Sequence, residues 1–214
     1  MKNFVLFIVC SWIFMGTGFA QEIDSLATTE EIPAPEGQAA EKKEGLHKEY
    51  YPTGELYSEG EYKEGKKEGL FKVYYKNGQL MAERTFAHDI PDGIDRGYSQ
   101  DGKLMFEGIF KNGKRQEVVK YFYPDGKVKT EANYKDDILN GITKQYDPEG
   151  NLLYEINYKK NKLEGVTKQY AKGSKLLAEY TYKDNKREGP FKEYNEDGSL
   201  KSSGKYKNGK LVQK

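Results

Sequence analysis

Past residue 20 the chain has no cysteine, no tryptophan and no long apolar run. Its only cysteine, Cys10, and its only tryptophan, Trp12, both fall in the apolar stretch FVLFIVCSWIFMG near the N-terminus. Disulfides, thiol chemistry and Cys-ligated metal are therefore excluded from the rest of the chain, so packing and backbone pairing must hold it together. Histidine is scarce too. His47 and His88 are the only two, and no metal cluster, nucleophile elbow or phosphate loop accompanies them. Asp89, Asp92 and Asp95 stand close together but lack a full calcium-ligand pattern. Net charge is also missing: 35 basic residues against 34 acidic give +1. Only 36% of residues are hydrophobic and 32% are charged, a balance that describes disorder in a chain without pattern. Here 18 tyrosines and 10 phenylalanines supply apolar surface, and they recur in register, so a folded chain with a thin core is expected.

The N-terminus reads as an address. Lys2 precedes the apolar run, and Gly18 and Ala20 stand three and one positions before an expected cut at Ala20/Gln21. That is the pattern of a secretory signal peptide over residues 1–20, and the run is short for a membrane span. Export to the periplasm, outer membrane or exterior follows as an expectation. Residues 21–43, QEIDSLATTEEIPAPEGQAAEKK, hold six acidic residues and two prolines without helix or strand period, and read as a flexible linker.

From residue 45 one pattern repeats seven times at a period of 24, filling residues 45–212. The units begin at Gly45, Gly69, Gly93, Glu117, Gly141, Gly165 and Gly189. A fixed period of this length marks a stacked-repeat architecture. Each unit holds two short segments, as in Gly45-Leu46-His47-Lys48-Glu49-Tyr50 and Leu56-Tyr57-Ser58-Glu59-Gly60-Glu61-Tyr62-Lys63. Between them stand turn tetrapeptides such as PTGE, KNGQ, PDGK and EDGS, where glycine takes positive φ without steric cost. Turn signals every 12 residues leave no room for helices. The expected fold is all-β: an elongated, single-layer antiparallel β-hairpin solenoid of seven 24-residue units and about fourteen strands.

Equal positions form columns. Tyr50 and its counterparts, with Leu56 and its counterparts, are expected to supply the main core as aromatic and aliphatic ladders. Gly54, Glu59 and Tyr62 complete the structural positions. Alternation places Leu46 and Tyr50 on one face of the first strand, and Leu56, Ser58, Gly60 and Tyr62 on one face of the second. A two-residue loop at Thr53-Gly54 sets these apolar sets on opposite faces, whereas a three-residue loop with a bulge sets them together. Burial favours the bulge.

The unit resembles the MORN repeat, in its bacterial tandem variant. The resemblance is carried by Gly45, Tyr50, Tyr51, Gly54, Leu56, Glu59, Tyr62, Gly65, Lys66 and Gly69, and it covers residues 45–212. It implies an antiparallel β-hairpin solenoid used for protein or membrane-surface contacts. Some members are labelled YwqK-type antitoxins, which implies a cytoplasmic toxin partner, and the signal peptide argues against that reading here. Unit three departs with Arg96-Gly97-Tyr98-Ser99, unit four with Glu117 and unit six with its turn at Gly173-Ser174. A weaker resemblance, to the YD repeats of large secreted shells, rests on Tyr146-Asp147-Pro148-Glu149-Gly150.

Two charged columns run through the units: Lys48, Lys72, Arg96, Lys120, Lys144, Lys168 and Lys192, and Glu59, Glu83, Glu107, Glu131, Glu155 and Glu179. A ladder of exposed ion pairs is the expected reading. The opposing charges cancel the field that nucleic acid requires, so no nucleic-acid partner is expected. Glycan hydrolysis by Glu107 and Glu131 is the competing enzymatic reading. It is disfavoured because a uniform column does not give two carboxylates different environments. No catalytic residue, cofactor or metal is expected. The chain reads as an exported, non-enzymatic scaffold whose partner is a protein or a cell-envelope polymer, with membrane-surface contact as a further expectation. Specificity should sit where copies disagree: His47, Glu49, Tyr51, Tyr75, Arg96, Tyr121 and Tyr123. The His47 position, which becomes Phe71, Asp95 and Val119 in later units, reads as a permissive surface site.

Overall fold

The computed structural model describes residues 42–213. The signal peptide and all but the last two residues of the linker lie outside the described residues. The described residues contain no helix, hence none long and apolar enough to cross a membrane. They form one sheet of 17 strands. In chain order these are β1 (Gly45–Tyr50), β2 (Leu56–Lys63), β3 (Lys66–Tyr74), β4 (Leu80–Ala87), β5 (Ile90–Tyr98) and β6 (Leu104–Lys111). There follow β7 (Lys114–Phe122), β8 (Val128–Lys135), β9 (Ile138–Leu139), β10 (Gly141–Tyr146), β11 (Leu152–Lys159) and β12 (Lys162–Leu163). The last are β13 (Gly165–Ala171), β14 (Lys175–Lys183), β15 (Lys186–Tyr194), β16 (Leu200–Lys207) and β17 (Lys210–Gln213). Each strand pairs antiparallel with its neighbour in sequence. β9 and β12 are the leading pieces of β10 and β13, which also pair directly with β8 and β11. The expected fourteen strands become seventeen through these two interruptions and through β17, which lays the C-terminal tail against β16.

The hairpin loop settles the register. Tyr51 N–H donates to the Glu55 carbonyl at 2.8 Å and Gly54 N–H to the Tyr51 carbonyl at 2.9 Å, closing a three-residue loop over residues 52–54. Glu49 faces Ser58 and Tyr50 faces Leu56, which leaves Tyr57 as an unpaired bulge residue. Beyond the bulge Lys48 faces Glu59, the register of a two-residue loop. Loop and bulge thus act together. Leu56 joins Tyr50 on one face, while Ser58, Gly60 and Tyr62 stand on the other, so the bulge does not gather all the apolar positions as expected. In unit six Ser174, at φ 58, takes the left-handed position that glycine fills elsewhere, and the register is unchanged.

Between hairpins a second irregularity recurs. Glu61 faces Glu68 and Glu59 faces Lys72, so Gly60 alone opposes Gly69, Leu70 and Phe71. This shifts the register by two residues, an even number, so every side chain keeps its face. The leading glycine makes the bend at positive φ, +75° at Gly69 and +121° at Gly141. The turns between hairpins are tied sideways. Asp89 N–H donates to the Lys67 carbonyl at 3.0 Å while Lys67 N–H donates to Asp89 Oδ1 at 2.7 Å. Asn161 and Leu139, and Asn185 and Leu163, do the same.

The buried apolar residues all lie on one face, which we call the packed face: Phe71, Val119, Ala132, Tyr134, Ile156, Leu163, Ala178, Tyr182 and Phe191. None comes from the Tyr50 or Leu56 columns, so these are not the main core. The core is instead the His47 position and its counterparts, with the closing aromatics beside them; read as a permissive surface site, it is the centre of packing. The bulge at Tyr57 is the physical cause, because it moves Leu56 away from Tyr62. Variation in this column is size complementarity across strands. A methyl group at Gly60 would stand 2.4 Å from the Phe71 ring, and one at Gly108 would stand 3.0 Å from Val119. Ring contacts run along the first units, with Tyr62–Phe71 and Phe71–Phe86 edge-to-face at 5.3 Å each.

Candidate functional site

The other, open face carries three parallel rows. The middle row alternates in sign: Lys48, Glu59, Lys72, Glu83, Arg96 and Glu107 face one another in succession. Close ion pairs within it are fewer than expected. Lys48 reaches Glu59 at 3.2 Å, Arg96 reaches Glu107 at 3.6 Å and Glu83 at 3.8 Å, and Lys168 reaches Glu155 at 4.0 Å. The glutamates serve mainly as acceptors for tyrosine. Tyr74 O–H donates to Glu59 at 2.7 Å, Tyr98 to Glu83 at 3.0 Å, Tyr146 to Glu131 at 3.1 Å and Tyr170 to Glu155 at 2.8 Å. Each bond clips a hairpin to the one before it. Burial and the glutamate beneath push the Tyr74 and Tyr170 hydroxyls up to about 12. The Tyr74 and Lys48 donors hold the Glu59 carboxyl below its ordinary value. Phe122 has no hydroxyl to offer Glu107, and there Arg96 is the near partner.

Alongside runs an aliphatic row from the second position of each unit. Leu46, Leu70, Val118, Ile142 and Val166 are 38–61% exposed, and Ile109 on the opposing strand position is 45% exposed. Leu46 and Leu70, with Glu59, Glu61 and Lys72, line a shallow groove. Sequence reasoning noted Leu46 only as a face marker. The signal was its parity: it shares a strand face with Lys48, which marks that face as the solvated one.

The residues singled out from sequence do not converge on one patch. His47 is half-buried on the packed face, edge-on to Tyr62 at 5.2 Å, with Nε2 3.2 Å from the Glu44 backbone nitrogen. Glu49 bonds Lys43 at 2.9 Å and Ser58 at 3.3 Å, and the Lys43 ammonium draws its carboxyl below the usual range. Tyr51, Tyr75 and Tyr123 donate at 2.8 Å to the carbonyls of Tyr74, Tyr98 and Tyr146, so their hydroxyls latch hairpins together. Arg96 lies in the charged row of the open face. Tyr121 lies on the packed face, its ring 6.5 Å from Phe106. The three loop aspartates have separate tasks: Asp89 and Asp92 accept from the backbone of Lys67 and Asn112, and Asp95 accepts from Arg84. No group of three or more potential ligands is placed to hold a metal ion among the described residues.

A family model described as MORN repeat variant matches the chain at residues 43–64, 67–88, 118–136, 139–160 and 187–208, together half of its length. The intervals between the matches hold most of units three and six, two of the units that depart most from the pattern, yet the structure builds the same hairpins there. No curated protein matches the chain.

Proposed function

The chain belongs to the MORN repeat variant family, and from that membership we propose that it is an exported, non-enzymatic scaffold that holds a partner protein against the open face of its sheet. The observation that carries the reading is the exposed aliphatic row. Apolar side chains repeated at one solvent-facing position, rimmed by charge, mark a contact surface better than scattered exposed leucines do. Two strand spacings separate successive units, so the row offers an apolar contact about every 10 Å. The neighbouring charged row supplies the polar rim that sets register and rejects ill-matched partners. Export rests on Lys2, the apolar run and Ala20.

Two measurements test the reading. Fractionation of the full-length chain with N-terminal sequencing should find an exported form beginning at Gln21. An uncleaved cytoplasmic chain removes the export reading and favours an antitoxin-like role. Captured partners should be lost from a Leu70→Asp/Ile142→Asp bait that still melts cooperatively; an unchanged partner set overturns docking on the open face.

A further inference from the structure

We propose that the packed face carries a second binding site, for a neutral β-linked glycan chain, formed by Tyr121, Thr130, Gln145, Tyr154 and Gln169. The proposal goes beyond the protein-docking reading and uses the opposite face of the sheet. These five residues face one another in succession across β7, β8, β10, β11 and β13. Four strand spacings separate the first from the last, about 19 Å.

Their composition is unlike the rest of the chain. Five successive positions carry no charge, although 32% of all residues are charged. The row does hold glutamates nearer its ends, but these are already engaged, Glu49 by Lys43 and Ser58, and Glu193 by the Tyr180 hydroxyl. In units two and three the same positions read Val73, Ala82 and Gly97, so the hairpin itself demands neither amides nor tyrosines there.

The polar groups of the row are available. All five residues are half-buried. The Gln145 and Gln169 amides and the Thr130 and Tyr154 hydroxyls have no hydrogen-bond partner among the described residues, whereas the tyrosines of the open face are clipped to glutamates. Burial alone raises the Tyr154 hydroxyl, so it stays a neutral donor and acceptor. The rings are held from below: Tyr121 packs on Val119, Ala132 and Tyr134, and Tyr154 on Ile156, Leu163 and Tyr182. The site is therefore formed before any ligand arrives, which lowers the ordering cost of binding.

This is the chemistry a neutral sugar chain needs. Each pyranose ring offers an apolar C–H face to an aromatic ring, and hydroxyls that both donate and accept. A glutamine amide has two donor hydrogens and an acceptor oxygen and can meet both. A β-linked chain running along the row advances by about one sugar per strand spacing of about 4.8 Å. An anionic polymer would find no cation in these positions.

The test titrates the full chain with cellohexaose, chitohexaose and laminarihexaose by calorimetry, with a heparin hexasaccharide as the charged control. At least one neutral hexasaccharide should bind saturably and better than heparin. Gln145→Ala/Gln169→Ala should weaken that binding at least tenfold, and Tyr154→Phe, which keeps the ring, should weaken it a few-fold. Leu70→Asp on the opposite face should leave it unchanged, so loss of docking on the open face and loss of glycan binding are separable. Melting curves establish that each variant folds; if the double variant does not, Tyr154→Phe decides. The proposal is overturned if no neutral hexasaccharide saturates at millimolar concentration, if heparin binds better, or if binding survives the row substitutions unaltered.

Discussion

Arg84 and Asp95 face each other across β4 and β5, with Nε donating to Oδ1 at 2.9 Å and Nη2 to Oδ2 at 3.1 Å. Asp95 is only 6% exposed, and the Arg84 guanidinium also lies 5.0 Å from the Phe110 ring. Asp95→Ala leaves a half-buried cation without its acceptor. It should cost about 2–3 kcal/mol, less than the roughly 3–5 of a fully buried pair, because Arg84 keeps some access to water. Arg84→Ala with Asp95→Val should return stability to within about 1 kcal/mol of the native chain. Urea midpoints of the two variants check both values.

Glu117 stands where six other units have glycine and keeps the left-handed backbone, at φ 60. An L-residue pays a steric penalty of about 1–2 kcal/mol there, partly offset by its lower unfolded-state entropy. Glu117→Gly should therefore stabilise the chain, by about 1 kcal/mol at most, and raise its melting temperature. The reverse change, Gly69→Glu, should lower it.

Thr143 and Thr167 bury their hydroxyls in the core row without a hydrogen-bond partner. Valine has nearly the same shape and removes the unpaired group. Thr143→Val and Thr167→Val should each stabilise by up to about 1–2 kcal/mol, and their effects should add to within a few tenths unless the two sites couple. Chemical denaturation of the two single variants and the double variant measures this.

The tyrosine–glutamate clips predict an alkaline loss of stability. Tyr74 and Tyr170 titrate near 12 when folded against 10.0 ordinarily, so folding favours their protonated form. Their contribution is complete below about pH 10 and disappears as pH rises towards about 12. Melting temperature followed from pH 9 to 12 should fall across that window. Tyr74→Phe/Tyr170→Phe should start lower and fall less steeply, and tyrosinate absorbance should show the delayed ionisation directly.

β17 covers the turn-proximal half of the β16 edge, with Tyr206 facing Leu211 and Lys207 facing Lys210. An uncovered edge is a template for pairing with another chain. Removing residues 210–214 should therefore produce concentration-dependent association in light scattering, and Leu211→Pro should do so more weakly. A truncated chain that stays as monomeric as the native one would show that the tail does not protect the edge.

Period, turns and family were legible because they are local and repeated. Gly54 and Gly78 announce the same loop, and Lys48 and Glu59 were placed opposite one another under one of the two loop geometries considered. The identity of the core was not legible. It depends on the extra residue at Tyr57, which leaves no mark of its own in the sequence and reassigns Leu56 to the open face. Once that shift is allowed, the variety at His47, Phe71, Asp95 and Val119 is explained by what each meets across the sheet: Gly60 beneath Phe71, Arg84 against Asp95, Gly108 beneath Val119. Such compensation occurs between strands, where a column-by-column reading of one sequence does not look. The free amides of Gln145 and Gln169 were hidden for the same reason, since their meaning lies in what fails to meet them.

The even shift at each leading glycine has a consequence for descent. Recombination between equivalent codons, at Gly69 and Gly141 for example, removes or adds whole hairpins and leaves every downstream side chain on its original face, whereas loss of a single residue would turn the remaining sheet inside out. Copy number can therefore drift freely while reading of the faces is preserved, and selection can act on individual cassettes, such as those carrying Gln145 and Gln169, after the array has reached its length.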